Sequence, residues 1–185
     1  MKLRKGLSLV AFGFLFTLVN INLNFSESAS LNIFPDFLGW LFFLLAYPCL
    51  LPYTERQPLI RWLPLFMLVY TAIDWYANLA GTPLDVGILG IIPAALELAF
   101  LYLLFGCLIR VAEDHAPSLS PKLRSLRTLN LALAAGIYAL TLLTYATQIG
   151  ELLLLIGLCG LVALIVAIYT CFTLFKLRSS VAAAP

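Results

Sequence analysis

The chain has 185 residues, of which 63% are hydrophobic and only 11% are charged. Soluble domains carry about 25% charged residues, and a domain of this size must expose much of its chain to water. The composition therefore excludes a soluble enzyme, a nucleic-acid-binding protein and a disordered protein. It predicts a single integral membrane domain over residues 1–185.

The eleven Lys and Arg residues are grouped so that three long stretches contain none of them. These stretches are 6–55, 62–109 and 128–175. One helical crossing takes about 20 residues, because a helix rises about 1.5 Å per residue and the hydrocarbon core is about 30 Å thick. Each stretch therefore has room for two crossings and a turn. A β-barrel is excluded because the long apolar runs lack the alternation of barrel strands.

Three helical hairpins predict an all-α bundle of six transmembrane helices. The predicted spans are 6–25, 35–53, 60–80, 86–110, 126–147 and 151–175. All basic clusters then fall on one side of the membrane, which the positive-inside rule assigns to the cytoplasm together with both termini. Outer turns are expected near 26–34, 81–85 and 148–150. The longest cytoplasmic loop, 111–125, holds His115 in a solvated position.

The N-terminus has a second interpretation. Residues 2–5 and 7–19 resemble the charged and apolar regions of a signal peptide, and residues 28–30 form an acceptable cleavage site. Removal of the first helix would leave five spans and invert the pairing of the remaining hairpins. We therefore expect the first helix to be retained.

The sequence lacks the motifs of the common enzyme classes. His115 is the only histidine, and neither a G-x-S-x-G motif nor a phosphate-binding glycine loop occurs. The four cysteines lie inside predicted spans without a C-x-x-C pair, which predicts neither disulfides nor a zinc site. They are Cys49, Cys107, Cys159 and Cys171. We expect no catalytic residue, metal or cofactor. Paired carboxylates, Asp36 with Asp74 or Asp74 with Glu97, keep an intramembrane enzyme open as a third function.

Glu97 is the most unusual acidic residue of the sequence. It lies eleven residues into the predicted fourth span, roughly 16 Å deep and near the bilayer centre. A charged carboxylate at that depth costs at least a few kcal/mol, and no basic residue is predicted there to pair with it. Pro93, four residues earlier, removes the usual partner of the Leu89 carbonyl and predicts a kink. We expect Glu97 to be protonated, hydrogen-bonded or facing a polar pocket. The alternative is a purely structural residue that bonds to a neighbouring hydroxyl or to the backbone.

Further polar residues are expected near the outer ends of the first three spans. Asp74 lies about 10 Å below the outer end of the third span. Together with Asp36, Asn20 and Asn22, and with Glu97 deeper in the bundle, it predicts an outward-facing pocket. Carboxylate and amide oxygens suit a hard cation or an ammonium group. Asp36 alone also fits a helix start, since it follows Pro35 and a carboxylate favours the positive end of the helix dipole.

Small residues recur at helical spacing on the last two spans. Cys159, Ala163 and Ala167 fall every four residues on one face of the sixth span, and Ala132 and Gly136 do so on the fifth. Small residues let helix backbones approach closely in lipid. This pattern predicts tight packing within the bundle, and the alternative is an interface with a membrane-protein partner or a second copy.

The stretch Ile33-Phe34-Pro35-Asp36-Phe37-Leu38-Gly39-Trp40 follows a basic N-terminus and an Asn-ended first helix. It resembles a group of small, uncharacterised bacterial multi-pass membrane proteins, which open similarly and carry a Pro-Asp-Phe-x-Gly motif. The resemblance covers about the first 45 residues. It implies a bacterial cytoplasmic membrane protein and implies no activity or site residues.

Two functions from different classes fit these observations. The first is the binding or transport of a cation or small polar solute in the outward-facing pocket. The second is a non-catalytic accessory or scaffold subunit, whose fifth and sixth helices dock a membrane-protein partner. In both cases the lipid bilayer is the surrounding partner, and no nucleic acid is expected.

Overall fold

A computed structural model describes residues 2–18, 22–24, 30–33, 35–54, 58–82, 90–147 and 149–183. The chain is all-α, as predicted, with six helices in the described residues. The helices are α1 (Lys2–Leu18), α2 (Asp36–Leu50), α3 (Leu59–Leu79), α4 (Ile91–His115), α5 (Ser120–Thr147) and α6 (Glu151–Ala183). Two three-residue strands, β1 (Asn22–Asn24) and β2 (Ser30–Asn32), form an antiparallel hairpin between α1 and α2. Short 3₁₀ turns follow α2 and α4 at Leu51–Tyr53 and Pro117–Leu119.

Four segments of the described chain are long and apolar enough to cross a membrane. They are Asp36–Tyr53, Ile91–His115, Pro117–Thr147 and Glu151–Val181. Helices α1 and α3 are not among them. Helix α1 has 17 residues in the described part of the chain, and Arg61 and Asp74 lower the mean hydropathy of α3.

The six helices close into a ring. Each helix packs against its neighbours in the sequence, and α6 packs against α1. The interior is filled by fully buried side chains that include Leu7 and Phe14 of α1 and Phe105 and Leu108 of α4. Helix α1 is therefore part of the core of this fold.

Helices α1 and α2 approach each other closely at two glycines. A Cβ at Gly39 would lie 2.9 Å from the carbonyl oxygen of Gly13 and 2.5 Å from Cγ2 of Thr17. A Cβ at Gly13 would meet the ring of Phe43 at 2.5 Å. Only glycine leaves room for this contact, and the close approach fixes where α2 begins relative to α1.

The outside of the bundle is strongly apolar, above all along α6. Leu153, Leu154 and Phe172 expose 61%, 73% and 69% of their surface. Soluble monomers rarely expose large continuous apolar patches, because burying apolar surface away from water is favourable. This surface therefore requires an apolar solvent or a protein partner.

Several predicted boundaries are wrong, among them the end of the first helix. The first helix was expected to reach residue 25, yet Asn22 begins a strand and pairs with Asn32. Asparagine is a poor helix former, and Asn20, Asn22 and Asn24 alternate with apolar residues at the period of a strand.

The segment 111–125, predicted as a loop, is helical except for Ala116 at the junction between α4 and the following 3₁₀ turn. The charged ends of α4 and α5 continue the helices, and Arg124 pairs with Glu113 across them at 2.6 Å. His115 is thus not an isolated solvated residue. It is the last residue of α4, and its Nε2 lies 2.9 Å from the hydroxyl of Tyr53 in a hydrogen bond.

Candidate binding cavity

A cavity of about 230 Å³ lies between α2, α3, α4 and α5. Three acidic side chains from three different helices line it: Asp36 of α2, Asp74 of α3 and Glu97 of α4. The structure thus brings together the three carboxyl groups that the sequence analysis singled out. The other lining residues described are Thr17, Trp40, Met67, Tyr70, Thr71, Gly90, Pro93, Ala94 and Tyr138. We call this space the acidic cavity.

Asp36 is the first residue of α2, directly after Pro35 at the N-cap. Proline fits this position because its fixed φ suits a helix start and its missing N–H has no helical partner there. The Oδ1 atom of Asp36 is buried, and it has no hydrogen-bond partner within the described part of the chain. A buried polar atom without a partner is costly, so it marks a place where a ligand, a water molecule or a proton fits.

Asp74 is held near the end of α3 by its neighbours. The indole N–H of Trp75 donates to the carbonyl oxygen of Asn32 in β2 at 3.2 Å, and its ring stacks edge-on against Phe37 at 5.6 Å. One turn later, the amide of Asn78 donates to the backbone carbonyl of Asp74 at 2.9 Å. These contacts tie α3 to the hairpin and to α2, and they position Asp74 at the cavity wall.

Glu97 connects α4 to α5. The hydroxyl of Tyr138 donates a hydrogen bond to Glu97 Oε2 at 2.5 Å. Glu97 lies six residues after Ile91, where α4 begins, so it is about 9 Å from the start of the helix rather than the predicted 16 Å. The same shift places Pro93 in the first helical turn, where its missing N–H breaks no helical hydrogen bond. The predicted Pro93 kink is therefore not needed, and Leu89 lies outside the described residues.

The acidic cavity has no basic counterpart among its described lining residues, since none of them is Lys, Arg or His. Uncompensated carboxylates inside a protein are costly because burial removes their hydration. A cation or bound protons must therefore balance this charge. Within the described ranges no three His, Cys, Asp or Glu residues are close enough to hold one metal ion. The three carboxyl groups line a shared space, and they do not form a compact metal centre.

A second cavity of about 160 Å³ adjoins the first. It shares Thr17, Trp40, Glu97 and Tyr138 with the acidic cavity. Its remaining lining is apolar except for Asn130, and consists of Phe14, Phe43, Leu101, Asn130, Leu133, Ala134, Ile137 and Ala163. We call this space the apolar cavity. The hydrogen-bonded pair of Glu97 and Tyr138 borders both cavities.

Sequence reasoning missed Tyr138, although a signal for it exists. Residues at equal distances from the turn of an antiparallel helical hairpin lie at equal depth. Glu97 stands nineteen residues before Ala116, and Tyr138 stands nineteen residues after Leu119. A search for hydroxyl groups at the depth of Glu97 on the next helix therefore finds Tyr138. Trp40 was also missed, because its position on α2 shows no polar pattern in the sequence.

The remaining predicted residues fall elsewhere. Asn20 is outside the described residues, and Asn22 is described only by its backbone in β1. On α6, Ala167 is buried, and Cys159 and Ala163 are half-buried.

Gly136 faces open space, where an added Cβ would meet nothing within 4 Å. Packing within the bundle is therefore wrong for Gly136. Gly136 is exposed, so the α5 surface at this position is not covered by the described part of the neighbouring helices.

Comparisons of the chain with protein-family models, with curated proteins and with solved structures find no match. The function must therefore be argued from the fold and the cavities alone. In its described residues the protein is a ring of six helices with an acidic cavity and an adjoining apolar cavity, which share four lining residues.

Proposed function

We propose that the chain is a six-span protein of a bacterial cytoplasmic membrane with both termini in the cytoplasm. Four helices long and apolar enough to cross, together with the exposed apolar surface, support the membrane assignment. The closed ring supports six spans, because α1 and α3 pack beside helices that are long and apolar enough to cross the membrane. The grouping of basic residues at one end of the helices supports the orientation. The bacterial assignment is supported by the Pro-Asp-Phe-x-Gly resemblance alone.

Cysteine labelling on intact cells tests this topology. Ser28→Cys and Ser118→Cys are each introduced into a chain whose four native cysteines are replaced. A membrane-impermeant maleimide is expected to label residue 28 and not residue 118 until the membrane is opened. Labelling of both residues from one side contradicts the proposed threading.

We infer that the acidic cavity binds a small organic cation, an amine that carries an apolar substituent, for uptake or sensing. One observation carries this inference: carboxyl groups from three helices line one cavity without a basic residue among its described lining. A cation supplies the missing charge. Aromatic rings of Trp40, Tyr70 and Tyr138 line the same space and favour a cation through their negative faces.

Two features favour an organic cation over a metal ion. The acidic residues are not clustered tightly enough to coordinate one metal in the described part of the chain. The adjoining apolar cavity also offers an aromatic and aliphatic lining that a bare ion does not use. An ammonium group in the acidic cavity and an apolar substituent beside Phe14 and Phe43 would occupy both.

Ligand-dependent thermal stabilisation of the purified protein in detergent tests the proposal. A series from methylammonium to butylammonium and benzylammonium is compared with the matching neutral alcohols and with Mg²⁺. A ligand at 100 times its Kd raises stability by about 2.7 kcal/mol, which appears as a rise in Tm. We expect the amines to stabilise the protein increasingly with substituent size, and the alcohols and Mg²⁺ to have no specific effect.

Variants locate the binding to this cavity. Asp74→Asn and Glu97→Gln are expected to abolish stabilisation by amines, whereas Glu151→Gln, which removes an exposed charge at the start of α6, leaves it intact. Ala163→Leu fills the apolar cavity and should weaken butylammonium and benzylammonium more than methylammonium. Equal stabilisation of wild type, Asp74→Asn and Glu97→Gln contradicts the proposal.

A role as an accessory subunit is the second candidate, and the open face of α5 and α6 favours it. Gly136, Gly157 and Gly160 each face open space, so a partner helix can approach the backbone there. If this face docks a partner or a second copy, Gly160→Leu should abolish the complex on size-exclusion chromatography in mild detergent. A wild-type protein that migrates as a lone monomer contradicts this candidate.

A further inference from the structure

A third cavity, of about 180 Å³, lies at the opposite end of the bundle from the acidic cavity. It is formed where the end of α2 and the start of α3 meet the middle of α4 and the first turns of α5. Its described lining consists of Tyr53, Thr54, Ile60, Tyr102, Leu103, Gly106, Cys107, Arg110 and Arg127. Two of these residues are arginines, and none of them is Asp or Glu.

The two arginines come from different helices, and each is oriented by a tyrosine residue. Arg110 of α4 donates from Nη1 to the backbone carbonyl of Tyr53 at 3.0 Å. The guanidinium of Arg127 on α5 lies 5.0 Å from the centre of the Tyr102 ring, in a cation–π contact. These contacts hold two positive groups at one cavity. An anion between the two guanidinium groups would be attracted by both charges.

The donors at this cavity match a phosphate group. Arginine carries a planar fork of N–H donors that binds phosphate oxygens in pairs. The Thr54 hydroxyl donates to the Leu51 carbonyl at 2.9 Å, and the Tyr53 hydroxyl bonds to His115, so the guanidinium of Arg127 is the main donor that we assign to the phosphate. Gly106 in the lining leaves space in the cavity, since an added Cβ there would meet nothing within 4 Å.

The depth of the cavity suits a lipid headgroup. Arg110 lies six residues before Ala116, and Arg127 lies eight residues after Leu119. Each arginine is therefore about two helical turns away from the connection between α4 and α5. The charged pair Glu113 and Arg124 lies beyond them, nearer that turn. Under the positive-inside rule this end faces the cytoplasm, where basic pockets between membrane helices bind anionic headgroups.

We propose that the cavity lined by Arg110 and Arg127 is a phosphate-binding site, and that a phospholipid headgroup at the cytoplasmic surface supplies the phosphate. The site is separate from the acidic cavity and does not depend on its ligand. Loss of amine binding in Glu97→Gln should leave the phosphate response unchanged.

The test uses the full-length protein in detergent and measures Tm against added ligand. One arm adds short-chain phosphatidylglycerol, a second adds glycerol 3-phosphate, a third adds inorganic phosphate and a fourth adds NaCl at matched ionic strength. Phosphatidylglycerol is expected to raise the Tm of the wild type. A rise with glycerol 3-phosphate or inorganic phosphate but not with lipid retains the phosphate site and assigns it to a soluble source. An equal rise with NaCl overturns the proposal.

Three variants locate the response without relying on Arg110, whose removal also breaks the contact with Tyr53. Arg127→Gln should need at least about tenfold more ligand for the same rise in Tm, because charge-assisted hydrogen bonds contribute roughly 1.5–3 kcal/mol. Arg127→Lys keeps the charge and loses the paired donors, so it should fall between wild type and Arg127→Gln. Gly106→Leu should fill part of the cavity, since Gly106 lines it and an added Cβ there meets nothing within 4 Å. Ala99→Leu is the control, since it places the same side chain at an exposed position on the same helix, α4. An unchanged response in both Arg127→Gln and Gly106→Leu overturns the proposal.

Discussion

The hydroxyl of Tyr138 donates a 2.5 Å hydrogen bond to Glu97 Oε2, and the two side chains form part of the lining of both the acidic and the apolar cavity. One contact therefore has two consequences. It satisfies an acidic group inside the bundle, and it links α4 to α5 where the two cavities meet.

Removal of this hydroxyl should destabilise the protein. Tyr138→Phe leaves Glu97 Oε2 without its donor, and an unsatisfied buried acceptor costs about 1–3 kcal/mol. The measurement is the free energy of unfolding in mixed micelles with increasing denaturing detergent. Tyr145→Phe on the same helix is the control, because Tyr145 is 64% exposed and should change stability by less than about 0.5 kcal/mol. Equal effects of the two substitutions contradict a structural role for the pair.

The sequence alone predicts the coarse fold and part of the site. Basic residues mark the helix ends, and apolar runs between them indicate helices. Asp36, Asp74 and Glu97 stand out because a carboxyl group is rare in such runs. Their convergence on one cavity follows from the hairpin arrangement, which brings the start of α2, the end of α3 and the start of α4 to the same end of the bundle.

What the sequence analysis missed depends on contacts between helices. The register of α4 against α5 decides that Tyr138 faces Glu97, and periodicity within one helix carries no such information. The orientation of Gly136 toward open space is likewise set by how α5 rotates against α4 and α6. The pairing of Asn22 with Asn32 is a backbone contact between two short strands, and an apolar stretch interpreted with a helical period does not predict it.

The close approach of α1 and α2 should be sensitive to a single methyl group. Gly39→Ala places a Cβ against Thr17 and the Gly13 carbonyl, which forces the two helices apart and should cost about 1–3 kcal/mol. Because Asp36 lies one turn earlier on α2, amine-dependent stabilisation should weaken as well. The control Gly106→Ala meets open space in a helix and should stabilise the protein by roughly 0.5–1 kcal/mol. An unchanged free energy of unfolding in Gly39→Ala contradicts the contact.

The salt bridge between Glu113 and Arg124 predicts a small dependence of stability on pH. The hydrogen bond from Arg124, 2.6 Å from Glu113 Oε1, holds the pKa of the Glu113 carboxyl below its ordinary value of 4.5. Its contribution to stability is therefore fully present above pH 4.5, the value of the unfolded chain, and is lost as pH falls through the lower folded value. Both side chains are exposed to solvent, so the effect is small and screened by salt. Glu113→Gln should remove this part of the pH dependence in Tm measurements between pH 3 and 6, and 1 M NaCl should reduce it in the wild type. If the dependence of Tm on pH is unchanged in Glu113→Gln, it arises from other titratable groups and the prediction is wrong.

A substitution of Asp36 should change the stability of the ligand-free protein and the binding of the ligand in opposite directions. Its Oδ1 is buried without a hydrogen-bond partner in the described chain, so the carboxyl group costs stability when no ligand is present. Asp36→Asn keeps the shape and removes the negative charge, and it should raise the Tm of the ligand-free protein by a few degrees, the shift expected for about 1 kcal/mol in a domain of this size. The same variant should lose stabilisation by butylammonium. Glu151→Gln, an equal charge change at an exposed position, should alter neither quantity. A lower ligand-free Tm in Asp36→Asn would show that the native carboxylate is already compensated inside the protein, which removes the electrostatic reason for a cation to enter the acidic cavity.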